Sequence, residues 1–251
     1  MRRVVLIGLL LVLASCSFST PLSTQIPAEP TPLPKQLTFI LADPTQAIDQ
    51  TMVDMSCDVF KRRLDRQKHL VFTVNCTPDM IEVGLSANAD EQEIASLLTA
   101  TGSIEFIDPK GEYLEEGTPI CTTTYRVLRK TPGFAGESCE TIYQTIAKDS
   151  QLLRDTVSLT TDQTGRPAVG FVFDGEGARA LEVFTAANIG KPMSIVVDQR
   201  VLSSPMINGT LPGEGIITFG SSSQAEQEKE AALLLDVLKS GSLPIAWQVQ
   251  K

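Results

Sequence analysis

Between Leu37 and Asp108, short apolar runs and longer amphipathic ones follow each other in an order that few folds accept. "LTFILA" is a short apolar strand, and Asp43-Pro44 then offers a helix start with proline in the first turn. From Thr45 to about Arg66 the apolar residues Val53, Cys57, Phe60 and Leu64 recur at helical spacing, with charges elsewhere. "HLVFTVN" and "MIEVGLS" flank the turn-rich "CTPD" and predict a β-hairpin. Asp90 precedes a second amphipathic helix through Ile94, Leu97 and Leu98, Gly102 stops it, and "SIEFID" reads as a further strand. The order βαββαβ predicts a split-βαβ, ferredoxin-like base of the α+β class, with both helices on one face of an antiparallel sheet.

From Asp108 to about Arg154 the pattern loosens into loops such as "DPKGEYLEEGTP" and "KTPGFAGES", which read as an insertion with little core of its own. Regular structure resumes with the strand "PAVGFVFD" and the helix "GEGARALEVFTAANIG", which Gly190 ends. "MSIVVD" and "VLSSPMI" form a hairpin about Gln199-Arg200, and "GEGIITFG" supplies another strand. Ala231, Leu234, Leu235 and Leu238 mark a helix over Gln224 to Lys239, and "LPIAWQVQ" closes the chain as a strand able to return to the first sheet. The expected division is a base at 37–108 and 221–251 with a head subdomain at 109–220.

Ahead of the body, Arg2 and Arg3 precede an apolar run from Val4 to Leu13, then small residues and Cys16. That is the plan of an export signal. A run of about ten residues makes roughly 15 Å of helix, too short for a bilayer core of about 30 Å. Leu13-Ala14-Ser15-Cys16 resembles a bacterial lipobox, so residues 1–15 are expected to be cleaved and Cys16 to carry the lipid. Residues 16–36, dense in proline, serine and threonine, read as an extended tether. The expected location is extracytoplasmic, at a bacterial membrane held through Cys16.

The formal charge is −9 and becomes −11 without Arg2 and Arg3. So acidic a chain is a poor partner for nucleic acid. Four cysteines remain beside Cys16, with no CxxC and His69 as the only histidine, which leaves little for a zinc or redox site. In an exported protein an even set points to disulfides. Of three pairings, Cys57–Cys76 and Cys121–Cys139 are favoured because each closes a local loop; four buried thiols are the other reading. Asp174-Gly175-Glu176-Gly177 sits between a strand and a helix, but the dinucleotide fingerprint fails at Ala180. No G-x-S-x-G occurs, and serines without a base are inert. Asn208-Gly-Thr210 fits a glycosylation acceptor by pattern only. No enzyme, cofactor or metal is expected.

The stretch "GRPAVGFVFDGEGARALEVFTAANIGKPMSIVVDQRVLSSPMINGTLPGEGIITFG", followed by "AALLLDVLKSGSLPIAWQV", resembles the large extracytoplasmic domain of SecD, a membrane component that assists the Sec export channel. "FKRRLD" and "IEVGLS…ADEQEIASLLTATGSIEF" are similar to that domain's opening part, so the likeness runs from about Phe60 to Val249. It implies a ferredoxin-like base with an inserted head, and binding of emerging polypeptide outside the membrane. Two departures stand out. SecD's proton-driven action depends on membrane helices, which this sequence does not show, and Gln199 stands where the family commonly has glycine. The resemblance implies a passive export accessory whose partners are exported polypeptide or Sec translocon components. Phe134 and Trp247 are candidate contact points, unless Trp247 is core and Phe134 covers the staple. The alternative is an envelope lipoprotein that reuses the scaffold to bind a folded protein or a glycan.

Overall fold

The computed structural model describes residues 33–126, 139–220 and 223–250. In chain order its first elements are β1 (Lys35–Leu41), α1 (Gln50–Asp65), β2 (Phe72–Cys76), β3 (Met80–Leu85) and α2 (Glu91–Thr99). Then come β4 (Ile104–Asp108), β5 (Cys121–Thr122), β6 (Ile142–Lys148), β7 (Ser158–Thr161), β8 (Pro167–Val172) and α3 (Gly175–Ala187). The last are β9 (Ser194–Val197), β10 (Arg200–Ser203), β11 (Glu214–Thr218), α4 (Gln224–Ser240) and β12 (Trp247–Val249).

The base is an antiparallel sheet in the order β12-β1-β3-β2, the strand order of a ferredoxin-like fold. Its core takes Leu37 and Phe39 from β1, Val53, Cys57, Phe60 and Leu64 from α1, and Ile94 and Leu98 from α2. Phe39 and Phe60 meet edge to face, with ring centroids 5.0 Å apart. The apolar spacing read from the sequence is thus the buried stripe of α1. The helix start is different. Asp43 closes a turn, accepting from the Thr45 amide at 3.0 Å, and the helix begins at Gln50, where Asp49 accepts from the Met52 amide at 2.9 Å. An aspartate before proline can cap a turn as readily as a helix. Asp90 caps α2 through the Gln92 and Glu93 amides.

The strand "SIEFID" does not complete this sheet. β4 pairs with β6 and β9 in a second sheet ordered β10-β9-β4-β6-β5, and β12 takes the fourth place in the base. Ile104, Glu105, Phe106 and Ile107 are all buried, so β4 is covered on both faces. The edge of a one-faced sheet would leave alternate residues wet; the middle of a covered sheet does not. Glu105 is accommodated there by the Thr122 hydroxyl at 3.1 Å and the Thr145 hydroxyl at 2.6 Å. A third sheet, β11-β8-β7, faces the second across a core in which Phe106, Phe171 and Phe173 pack mutually at 4.9 to 5.4 Å. α4 contributes Ala231, Leu234 and Leu238 to this second core. The packing therefore does not follow the expected boundaries at 108 and 220, since β4 and α4 both bury side chains with the head.

Within the stretch expected to be irregular, "IYQTIAK" forms β6, an interior strand of the second sheet. The hairpin between β9 and β10 turns at Asp198-Gln199, one residue earlier than expected, with φ of 51° and 61° and Val197 opposite Arg200. Positive φ at both central positions is the I′ arrangement, which a Gln-Arg turn would not favour. The register then shifts between Val201 and Ser203, a bulge.

Cys57 is bonded to Cys76 and Cys121 to Cys139. The first ties α1 to the outer strand β2. Replacing Cys57 and Cys76 together by alanine is expected to cost roughly 3 kcal/mol in chemical denaturation, from the lost loop constraint. The difference from wild type should vanish when both proteins are unfolded with reductant present.

Candidate functional site

The described residues place the expected site positions unequally. Cys16 and Phe134 lie outside them. Trp247 is 2% exposed within the base core, so its ring is not presented at the surface. His69 is exposed, with φ of 64° in the turn before β2. Asp174 caps α3 through the Glu176 and Gly177 amides at 3.1 and 3.0 Å. A Cβ on Gly177 would stand 2.9 Å from the Gln151 Cβ, so close packing accounts for that glycine. Among the described residues no group of three or more His, Cys, Asp or Glu is arranged to hold a metal ion.

Two concavities stand out among the described residues of the head. The larger, about 690 Å³, lies between β6 and α3, with Asp108, Glu176 and Arg179 among its lining residues. β6 is bordered by β4 on one side and, on the other, by the two-residue β5 at Ile142 and Tyr143 only. The second, about 490 Å³, is a slot between the second and third sheets. Phe106, Phe171, Met193, Ile195, Met206 and Leu211 supply most of its apolar wall.

β11 borders this slot through Gly215, Ile216 and Thr218, and it is the outer strand of its sheet. The Phe173 amide donates to the Gly213 carbonyl at 2.8 Å, and the antiparallel register continues through Gly215 opposite Phe171. By the alternation of such ladders, the backbone groups of Glu214, Ile216 and Thr218 point away from β8, toward the open edge. Ile216 and Met206 are 44% and 51% exposed beside it. A Cβ on Gly215 would approach the Phe171 ring to 2.9 Å, so glycine lets that ring lie flat under the strand. Among the described residues these outward groups have no strand beside them, and they lie next to a pliable apolar wall, which suits an extended peptide of varied sequence. Sequence reading missed the slot because its wall comes from β4, β8, β9 and the 205–211 loop, segments unrelated in periodicity. The turn-rich "PMING" after a strand was the one local signal; in the structure Pro205, Met206 and Asn208 are exposed and Ile207 is buried.

Where base and head meet, Arg63 of α1 is fully buried. Burial pulls its guanidinium down to about 10, while nearby Asp198 works in the opposite direction and Arg62 adds to the lowering. It therefore keeps its charge at neutral pH.

Comparison with known proteins follows the same lines. Residues 132–245 match the family described as "SecDF, P1 head subdomain". The protein translocase subunit SecD of Rhodobacter capsulatus is 28% identical over 212 residues, covering 79% of this chain and 35% of the relative. The protein translocase subunit SecDF of Thermus thermophilus is 44% identical over 88 residues, covering 35% of this chain and 11% of the relative. The chain thus spans well under two thirds of these relatives' length. A solved structure described as "Structure and function of a membrane component SecDF that enhances protein export" superposes with a TM-score of 0.58 at 23% identity, over 86% of this chain and 98% of that one. That likeness concerns the fold. Among the described residues, no helix is long and apolar enough to cross a membrane. The chain is SecD-like in that residues 132–245 are similar to the SecDF P1 head subdomain and the body shares the fold of the solved SecDF structure.

Proposed function

We propose that this chain is a lipid-anchored, extracytoplasmic accessory of Sec-dependent protein export that holds extended polypeptide passively. The observation that carries the reading is the free edge of β11 beside the methionine-lined slot. The kinship with protein translocase subunits supplies the context in which such an edge meets unfolded chains. A segment added to β11 gains backbone hydrogen bonds that every sequence can make, and every second side chain reaches the apolar wall. Nothing in that association calls for an energy source. The lipobox-like Leu13-Ala14-Ser15-Cys16 and the tether to residue 36 would keep the site near the membrane face where exported chains emerge. Exported polypeptide and Sec translocon components are the proposed partners.

Photoreactive residues at Met206 and Ile216 in intact cells are expected to capture many unrelated exported chains, or Sec channel subunits. Capture of one folded envelope protein and no exported chain would overturn the reading and favour a reused binding scaffold. In solution, Ile216→Pro removes an outward N–H without touching the ladder to β8, since edge positions tolerate proline. It is expected to weaken binding of an unfolded apolar peptide about tenfold, near one hydrogen bond's worth. Thermal stability should change little. Cys16→Ala should move the protein from the membrane pellet into other fractions or leave it unprocessed, as membrane fractionation and immunoblotting would show.

A further inference from the structure

Two methionines line the slot beside β11, and they sit at different depths. Met193 is 3% exposed and packs into the head core with Phe106, Phe171 and Ile195. Met206 lies across from it on the 205–211 loop, bridged to Pro192. The Met193 amide donates to the Pro205 carbonyl at 3.0 Å, and the Ile207 amide to the Lys191 carbonyl at 2.9 Å. These bonds fix the backbone on both sides of Met206, while its side chain stays 51% exposed. One thioether is therefore in the floor of the slot and the other at its mouth. Among the described residues that line the slot none is charged, and the polar ones Gln163, Asn208 and Thr210 are neutral and exposed. Protonation therefore cannot change the polarity of this wall. Of the residue types in it, only methionine is converted by a mild oxidant, and only Met206 is open to one.

We propose that Met206 is an oxidative modification site whose conversion to the sulfoxide closes the slot to apolar segments. The inference rests on the reading of the slot as the polypeptide site. With hydrogen peroxide as the oxidant, the sulfur gives an electron pair to one peroxide oxygen and the O–O bond breaks. The hydroxide released takes the proton of the transferred oxygen and leaves as water, so sulfur is oxidised by two electrons and peroxide reduced by two. The product carries a strong acceptor oxygen on a wall that was apolar. An apolar side chain laid over that oxygen leaves it unpaired, which opposes burial. A segment lying along β11 covers Met206 in turn, so an occupied slot is shielded and an empty one is open to oxidant. Met55, on α1 of the base, is 52% exposed and lines no part of the slot, so it shows what exposure alone brings.

The full chain, purified from cells and placed in lipid nanodiscs, is treated with hydrogen peroxide beside Met206→Leu and Met55→Leu. Peptide mapping by mass spectrometry follows each methionine, and fluorescence anisotropy reads binding of an unfolded apolar peptide that contains no methionine. Met206 and Met55 are expected to convert and Met193 to stay a thioether. Saturating peptide should slow conversion of Met206 and leave Met55 unaffected. Converted wild type and converted Met55→Leu should bind about tenfold more weakly, the scale of one polar group left unpaired. Treated Met206→Leu should stay within about twofold of untreated wild type, since leucine conserves the volume. A methionine sulfoxide reductase should restore the wild-type affinity, a reversal that depends on no variant. Unchanged affinity after conversion of Met206, equal loss in Met206→Leu, no shielding by peptide or no recovery on reduction would each overturn the switch and leave the polypeptide reading standing. Untreated wild type that binds no such peptide would instead overturn that reading, and the switch with it.

Discussion

The pairing of β1 with β12 sets the conditions for everything else in the body. Phe39 stands opposite Val249 and Leu41 opposite Trp247, so the base sheet is closed by the last strand of the chain. Between α2 and that strand lies the whole head. Bringing such distant ends together costs loop-closure entropy that grows only slowly with length, but it must be met before the pairing returns anything. A folded head shortens the effective loop to the span between two neighbouring crossings. With the head folded, the base is completed at a lower closure cost, across a short joint between the two. Arg63 is buried at that joint because a cation there satisfies the carbonyls at the ends of two helices at once. An unpaired charge in such a place would be far more costly than the guanidinium is here.

Much of the base is legible in sequence, and the reason is local. Val53, Cys57, Phe60 and Leu64 fall on one helical face, and the hairpin about Thr77 to Asp79 has turn residues between β-branched runs. What a local pattern cannot show is which sheet a strand joins. "IEFID" satisfies the last position of βαββαβ as a string, yet its burial on both faces belongs to an interior strand of another sheet. Trp247 shows the same limit from the other side. A lone tryptophan near a terminus reads as a contact or as core, and only the pairing of β12 with β1 decides for core. Asp43 and Asp49 are both sound helix caps by type; tertiary context selects the second. "IYQTIAK" carries β-branched and aromatic residues but too little alternation to stand out among loops.

The turn at Asp198-Gln199 illustrates a conflict between local preference and placement. A glycine would take the second I′ position at little cost, whereas glutamine at φ of 61° carries a penalty of roughly 1 kcal/mol. The Ile120 amide donates to the Gln199 carbonyl at 3.0 Å, and the Asp198 carboxylate holds two amides of the crossing. Those bonds explain how a disfavoured conformation persists.

A free strand edge beside apolar side chains is ordinarily a hazard, because it invites another chain to pair. The third sheet treats its two edges differently. β7, at one side, is exposed at all four positions and carries serine and threonines with Leu159. β11, at the other, lies along the slot with Ile216 and with Met206 nearby. A net charge of −9 keeps copies of the chain apart at long range. At short range, the slot of about 490 Å³ bounded by the 205–211 loop and the facing sheet lies alongside β11. Under the function proposed above, the edge of β11 takes a passing strand by backbone bonds that any sequence can make, and the chain's net charge opposes association of its own copies.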